Sequence, residues 1–442
     1  MSVPDGLAAK LDHALRVAQA EQRLPSVSAC VFRDGKILWE QALGLADVAG
    51  GVGATSDHVY RIGSITKTFT AVLVMQLVDE GRIELDASLR SYLPEAPAGP
   101  TIRMALSHLT GLQREPPGEI WESMQPPTRV ELIAGLEDAE LVLGPGEQWH
   151  YSNLVFALLG EIVMRVHGDL YGDLLQRRIL DPLGLRRTTL RPDDLQATPY
   201  FVEPYTDVVR IEPDFALTES TGAAGWLWST AGDLARWGMF LAEGDDAVLP
   251  RRLLDRMARV QTMVDEAHWS VGWGLGLELY RRGDRVFAGH GGAMPGFLAA
   301  LVVDRSERTG AVVLTNTSAG AKPEALALDL AVTTLEALPR APAPWSPGEE
   351  APAELAGILG RWWTEGEEIV LAFRDLRFCA ELVGGAVGRN VSFLELESDD
   401  RWRVVEGRER GELLRAVRDG EGRVTKLYFA TYPLTRGPST FG

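Results

Sequence analysis

Two groups of strand-like sequence lie far apart in this 442-residue chain, and their separation limits the folds open to it. The first, "SVSACVFRDGKILWEQALGLAD", reads as a β-hairpin with Asp34-Gly35 at the turn between two apolar runs. The second comprises "RVFAGHGG", "GFLAALVVDR" and "GAVVLTNT", the last two joined by the turn "SERTG". Helix-like stretches at 5–22 and 321–338 flank the two groups, and about 200 residues of mainly helical pattern separate them. Within that region "TAVLVMQLVDEG" has Gly81 as a C-cap candidate, and Thr230 with Asp233 resembles a capping box. The simplest assembly is an antiparallel sheet built from both ends, with flanking helices and a helical insertion. That is an α/β sandwich with a cleft where the insertion meets the sheet.

The pattern changes after residue 338. Residues 339–353, "PRAPAPWSPGEEAPA", are rich in Pro and Ala without periodicity and read as a linker. From 354 to 442 short alternating segments follow at close spacing, from "ILGRWW" to "VTKLYFATY". About seven strands with polar turns predict a small C-terminal β-barrel. The expected organisation is therefore a 1–338 domain, a 339–353 linker and a 354–442 barrel.

The chain carries 44 basic and 62 acidic residues, a net charge of −18, which argues against nucleic acid and anionic membrane surfaces as partners. No apolar run reaches the ~18 residues of a membrane span. The N-terminus has no charged segment followed by an apolar one, so a cytoplasmic location is expected. Cys30 and Cys379 have no metal-type or disulfide-framework spacing, and the seven histidines form no His-x-His or HExxH pattern. No metal or cofactor is expected.

Chemistry is concentrated at three places. In "RIGSITKTFTAVLVMQL", Ser64 and Lys67 stand one helical turn apart at the front of a buried helix. Only five of the 44 basic residues are lysine, so lysine at 67 goes against this chain's strong use of arginine. A serine hydroxyl needs a base to take its proton; a desolvated lysine can lose its own proton, whereas arginine effectively cannot. Chance predicts roughly 0.2 Ser-x-x-Lys matches in such a chain, so the pair is suggestive alone. The second place is "PGEQWHYSN", where Tyr151 and Asn153 precede the helix-like "LVFALLGEIVMRV". A phenol near an ammonium shifts toward phenolate and could pass the serine proton, while Asn153 could orient a carbonyl or Lys67. The third is "HGGAMPGF", where Gly291 and Gly292 follow His290 at a strand end and permit close backbone approach.

These three elements, in this order, resemble the serine β-lactamase and penicillin-binding-protein superfamily. The Tyr-x-Asn form resembles its class C branch, which holds esterases, D-aminopeptidases and D-alanyl-D-alanine carboxypeptidases. The likeness covers roughly residues 5–338 and extends to "LVDEGRIELDASLRSYLPE", "ALSHLTGL" and "AAGWLWSTAGDLARW". It implies Ser64 as acylated nucleophile, Lys67 and Tyr151 as the general acid/base pair, and Asn153 as a binding residue. His290, Gly291 and Gly292 would lie along the substrate, with the backbone N–H groups of Ser64 and Ala293 as oxyanion hole. The C-terminal segment resembles the lipocalin-like barrel attached to some of these hydrolases.

Of two departures from the family pattern, the first bears on substrate and the second on a structural segment more than on chemistry. Lactamases and carboxypeptidases open the third motif with lysine, whose cation helps hold a substrate carboxylate; here it opens with His290, a weaker anchor. "SHLTGL" writes Leu-Thr where the family usually has Thr-Ser. The expectation is a serine hydrolase for small esters, amides or short peptides, with a second copy of the chain as a candidate partner in a homo-oligomer. The alternatives are a β-lactamase or carboxypeptidase and, from another class, a non-catalytic binding protein on a hydrolase scaffold. The Trp-rich set (226, 228, 237, 362, 363) fits a hydrophobic cleft or a core.

Overall fold

In the computed structural model, which describes residues 3–438 apart from 193, 217, 343 and 386–389, the chain divides into two compact units, Met1–Pro339 and Arg340–Gly442. The first is organised around nine antiparallel strands: β1 (Ser26–Arg33), β2 (Lys36–Asp47), β3 (Val52–Gly53), β4 (Thr262–Met263), β5 (Val271–Trp273), β6 (Glu278–Arg282), β7 (Arg285–Met294), β8 (Phe297–Asp304) and β9 (Thr309–Thr315). Their order across the sheet is β3-β2-β1-β9-β8-β7-β6-β5-β4. The two ends of the domain therefore meet at β1 and β9, with Cys30 opposite Val312.

The hairpin turn has φ of +49° at Asp34 and +71° at Gly35, the paired positive values of a tight two-residue loop. Every residue of β1 is buried because both faces of the sheet are covered. Val27, Ala29 and Val31 pack with the helices Asp5–Glu21 and Pro323–Ala337, whereas Cys30 and Phe32 join the core beneath the Ala231–Glu243 helix. The strands β3 to β6 give little signal in the sequence. They are two to five residues long, and glycines interrupt the 271–278 segment, so no alternation develops.

The helical insertion delivers the reactive residues. Its central helix, Thr66–Asp79, has every residue from Thr66 to Leu77 buried, so it reads as an apolar run rather than an amphipathic stripe. It ends at Gly81, with φ +68° and the Arg82 N–H donating to Leu77 O at 2.9 Å. The expected capping box at Thr230 is half formed. Thr230 accepts from the Asp233 N–H at 3.1 Å, but the Asp233 carboxylate accepts the Arg187 N–H at 2.8 Å instead of reaching back.

The second unit is an eight-stranded antiparallel sheet from Gly360–Thr364 to Tyr432–Leu434. Trp363 and Thr435 exchange backbone hydrogen bonds of 2.9 Å, which nearly closes it into a barrel around Trp362, Leu371, Phe378, Trp402 and Leu427. The eighth strand arises because "VTKLYFATYPL" folds back at Ala430, whose φ of +54° has no glycine or asparagine to announce it. Among the described residues no helix is long and apolar enough to cross a membrane.

Candidate active site

Ser64 occupies a 3-10 turn, Gly63–Ile65, that runs directly into the Thr66–Asp79 helix. The first N–H groups of such a segment lack helical acceptors and carry the positive end of the helix dipole. Lys67 follows one turn later and is fully buried. Its Nζ lies 3.0 Å from Ser64 Oγ, 2.8 Å from Asn153 Oδ1 and 2.6 Å from Ala224 O. Burial lowers its pKa to about 7, with nearby Arg114 acting in the same direction and Glu115 opposing.

That geometry decides what Lys67 can do. Two of its three partners are carbonyl oxygens, which only accept. A neutral amine has two N–H groups and one lone pair, so donating to both carbonyls turns the lone pair toward the Ser64 hydroxyl.

Asn153 opens the helix Asn153–His167, capped by Ser152, whose Oγ accepts the Val155 N–H at 3.1 Å. Tyr151 therefore stands just ahead of that helix, near enough to Ser64 for the serine to lower its pKa. Its ring stacks on His108 at 4.3 Å between centroids and meets Trp273 edge-on at 5.8 Å, with Lys67 Nζ 5.0 Å from the ring centre. The sequence argument for a phenolate fails here. Burial is the largest influence on Tyr151 and, with Glu278 and Glu115, pushes its pKa up, against the opposing effects of Ser64 and Arg114. Tyr151 is a phenol at neutral pH, and the amine of Lys67 is the group that titrates there.

The third motif lies on β7. Its hairpin partner β6 begins at Glu278, opposite Gly289, so residues 290–294 have no strand on that edge. The Gly291 backbone lies close enough to the Glu278 carboxylate there to lower its pKa, and by the two-residue strand repeat Ala293 turns its N–H to the same edge as Gly291. The turn carrying Ser64 abuts this point: a methyl on Gly63 would stand 2.5 Å from Ala293 N. Both glycines line the cleft with Ser64, and the chain itself also approaches them closely. A methyl on Gly292 would lie 2.0 Å from Ile62 O, and one on Gly291 would lie 2.3 Å from Glu324 Oε1.

His290 points to the face opposite Gly291, toward Tyr151 and Trp273. Its Nδ1 donates to Gly291 O at 2.5 Å, and burial, with Lys67 nearby, lowers its pKa to about 3. It is a neutral ring at physiological pH.

Ser64, Tyr151, Asn153, His290 and Ala293 line one cleft of about 780 Å³, with Lys67 beneath its floor. Its outer walls come from Trp121, Met124 and Phe215 in the 113–130 and 195–222 segments and from Trp226. The other core tryptophans have structural roles: Trp237 stacks on Phe69 at 3.8 Å, and Trp362 donates to Ile358 O at 2.6 Å. Four polar residues of the site escaped the sequence reading. Glu115 holds Asn153 Nδ2 at 2.7 Å, His108 backs Tyr151, and Glu278 and Glu324 face the cleft beside Gly291. His108 lies in the quoted "ALSHLTGL", but only its stacking identifies it; nothing local marks the three glutamates. Among the described residues no group of three or more His, Cys, Asp or Glu side chains could hold a metal ion.

Comparison with known proteins gives consistent results. The family pattern described as Beta-lactamase matches residues 11–336, and a domain of unknown function, DUF7586, matches 351–436. The chain is 30% identical to penicillin-binding protein 4 of Amycolatopsis lactamdurans over 79% of its own length and 95% of that protein's. It is 28% identical to esterase EstB of Burkholderia gladioli, over 71% and 91% respectively. The crystal structure of a D-stereospecific amidohydrolase from Streptomyces sp. superimposes with a TM-score of 0.64 at 28% identity, covering 74% of this chain and 98% of that one.

Proposed function

The chain belongs to the beta-lactamase family of serine hydrolases, and from that premise we propose that it cleaves small esters or amides through an acyl-enzyme on Ser64. The observation that carries this reading is the environment of Lys67: a buried amine with pKa about 7, held by two acceptor-only carbonyls and 3.0 Å from Ser64 Oγ. Neutral Lys67 takes the serine proton as Ser64 attacks the substrate carbonyl. The backbone N–H groups of Ser64 and Ala293 receive the developing oxyanion. Tyr151, a phenol, gives its proton to the leaving group and regains one from Lys67, so the net transfer runs from serine to leaving group. Water reverses the sequence and releases the acid.

The cleft chemistry favours substrates without a carboxylate. His290 is neutral, and the acidic residues Glu278 and Glu324 line the wall next to Gly291. Burial raises the pKa of Glu278 to about 7. A carboxylate placed beside Gly291 meets a growing negative charge above pH 7, and the guanidinium that lines the cleft, Arg114, sits over the Tyr151 ring and is already paired with Glu115 at 3.8 Å. Nitrocefin is therefore expected to be turned over about 100-fold less efficiently than p-nitrophenyl butyrate, from like-charge repulsion alone. Equal kcat/KM for the two would restore the lactamase reading.

The direct test is reaction with a fluorophosphonate followed by peptide mass mapping, which is expected to mark Ser64. An unlabelled Ser64 would favour the non-catalytic alternative. With Ser64→Ala as the blank, kcat/KM for p-nitrophenyl butyrate against D-alanine p-nitroanilide then separates the two substrate classes. A live ester and dead amide assign an esterase; comparable rates assign a site that accepts a free D-amino end.

A further inference from the structure

The direction of the Asn153 amide determines whether Lys67 can act as a base, and the structure shows what fixes that direction. Asn153 Oδ1 accepts from Lys67 Nζ at 2.8 Å, while Asn153 Nδ2 donates to Glu115 Oε1 at 2.7 Å. A carboxylate can only accept, so it admits the NH₂ end of the amide and turns the oxygen toward Lys67. We infer that Glu115 is a positioning residue for proton transfer from Ser64 to Lys67, acting through the Asn153 side chain. The inference rests on the serine-hydrolase reading above.

The loop around Glu115 is built to hold it there. Arg114 O accepts the N–H groups of Asn153 at 2.6 Å and Leu154 at 3.1 Å, and Gln113 O accepts the Ser152 hydroxyl at 2.7 Å. Three consecutive residues thus clamp the start of the Asn153–His167 helix. Gln113 Nε2 donates to Glu115 O at 2.9 Å and stiffens the same turn. Backbone clamping needs no particular side chain at 115, so the carboxylate has a separate job.

Without it the amide can rotate. An Asn153 that offers Nδ2 to neutral Lys67 attracts the lone pair, and Lys67 then donates an N–H to Ser64 Oγ. That is the wrong direction for taking a proton. The carboxylate also adds charge: Glu115 opposes the lowering of the Lys67 pKa, while Arg114 lowers it. The other ionisable groups facing Lys67 are Tyr151, His108 and His290, and burial keeps all three neutral at pH 7.

Two variants separate direction from charge. Glu115→Gln keeps an acceptor oxygen for Asn153 Nδ2 and removes the charge. Its plateau kcat on p-nitrophenyl butyrate is expected to stay within a few-fold of wild type. The acid limb of its kcat/KM profile is expected to move to lower pH, because losing a nearby negative charge makes Lys67 easier to deprotonate. Glu115→Ala loses the acceptor, and its kcat is expected to fall about 10- to 100-fold with KM nearly constant, the size of one charge-assisted hydrogen bond. Melting temperatures establish that both variants are folded. Equal losses in the two variants with an unmoved acid limb would reduce Glu115 to a loop anchor and overturn the inference. Ser64 phosphonylation of the wild-type chain is the independent control. If Ser64 never labels, the hydrolase reading itself fails; if it labels and the three pH profiles superimpose, only the role of Glu115 falls.

Discussion

Lys67→Arg is expected to lower kcat/KM for p-nitrophenyl butyrate by roughly 10²- to 10⁴-fold, the range of a lost general base. Arginine keeps the positive charge and donor capacity but holds its proton at every working pH. The wild-type profile should rise through about pH 7 as Lys67 becomes neutral, and the residual activity of the variant should show no such limb. An arginine enzyme with wild-type turnover would remove Lys67 from the proton path.

The same residue makes a stability prediction whose sign follows from linkage. The folded-state pKa of Lys67, about 7, lies below the unfolded value of about 10.4. Between those values the unfolded chain binds more protons, so the Lys67 contribution to stability rises with pH across that window. Below pH 7 the burial penalty is felt in full, on the order of 4 kcal/mol. Lys67→Met removes the penalty but orphans two carbonyls, so its net stability at one pH is a balance. Its stability relative to wild type should nevertheless fall steadily from pH 7 to pH 10. Parallel melting curves across that range would mean that Lys67 is not desolvated as described.

Which parts of this site could be read in the sequence depends on contact distance along the chain. Ser64 and Lys67 are one helical turn apart, and a rare lysine among many arginines flags the pair without any fold. Tyr151 and Asn153 share a short segment whose helix start is legible from Ser152 and the apolar run behind it. The sheet was equally readable where strands are long and buried, as in β1, β8 and β9. Glu115 meets Asn153 across 38 residues, and Glu278 and Glu324 meet beside Gly291 only because β6 and the last helix of the domain converge there. No local pattern encodes such meetings. The charge state of Tyr151 is not legible in the sequence for a related reason. Proximity to an ammonium can be guessed from a motif, but the degree of burial that outweighs it belongs to the folded packing.

Gly292→Ala tests the oxyanion assignment without touching a titratable group. Gly292 does not have a positive φ, so backbone strain is not the obstacle. Space is: the new methyl would stand 2.0 Å from Ile62 O and 2.9 Å from Ile62 C. Ile62 cannot yield easily, because it is fully buried and its N–H donates to Leu227 O at 2.9 Å. The Ile62–Ser64 turn must therefore lift from β7, drawing the Ser64 N–H away from Ala293. Losing one well-placed oxyanion donor costs about 10²- to 10³-fold in kcat, and overpacking at a buried site costs about 1–3 kcal/mol of stability. The expected result is a folded protein with a lower melting temperature, a kcat reduced by that factor and a KM little changed. Gly291→Ala is the matched comparison. Its methyl meets only the end of the Glu324 side chain, which can swing aside, so a small loss is expected. If both alanine variants keep wild-type kcat, the oxyanion is held somewhere other than between Ser64 and Ala293. If only Gly292→Ala falls, the contact between the serine turn and the strand sets the spacing of the two donors.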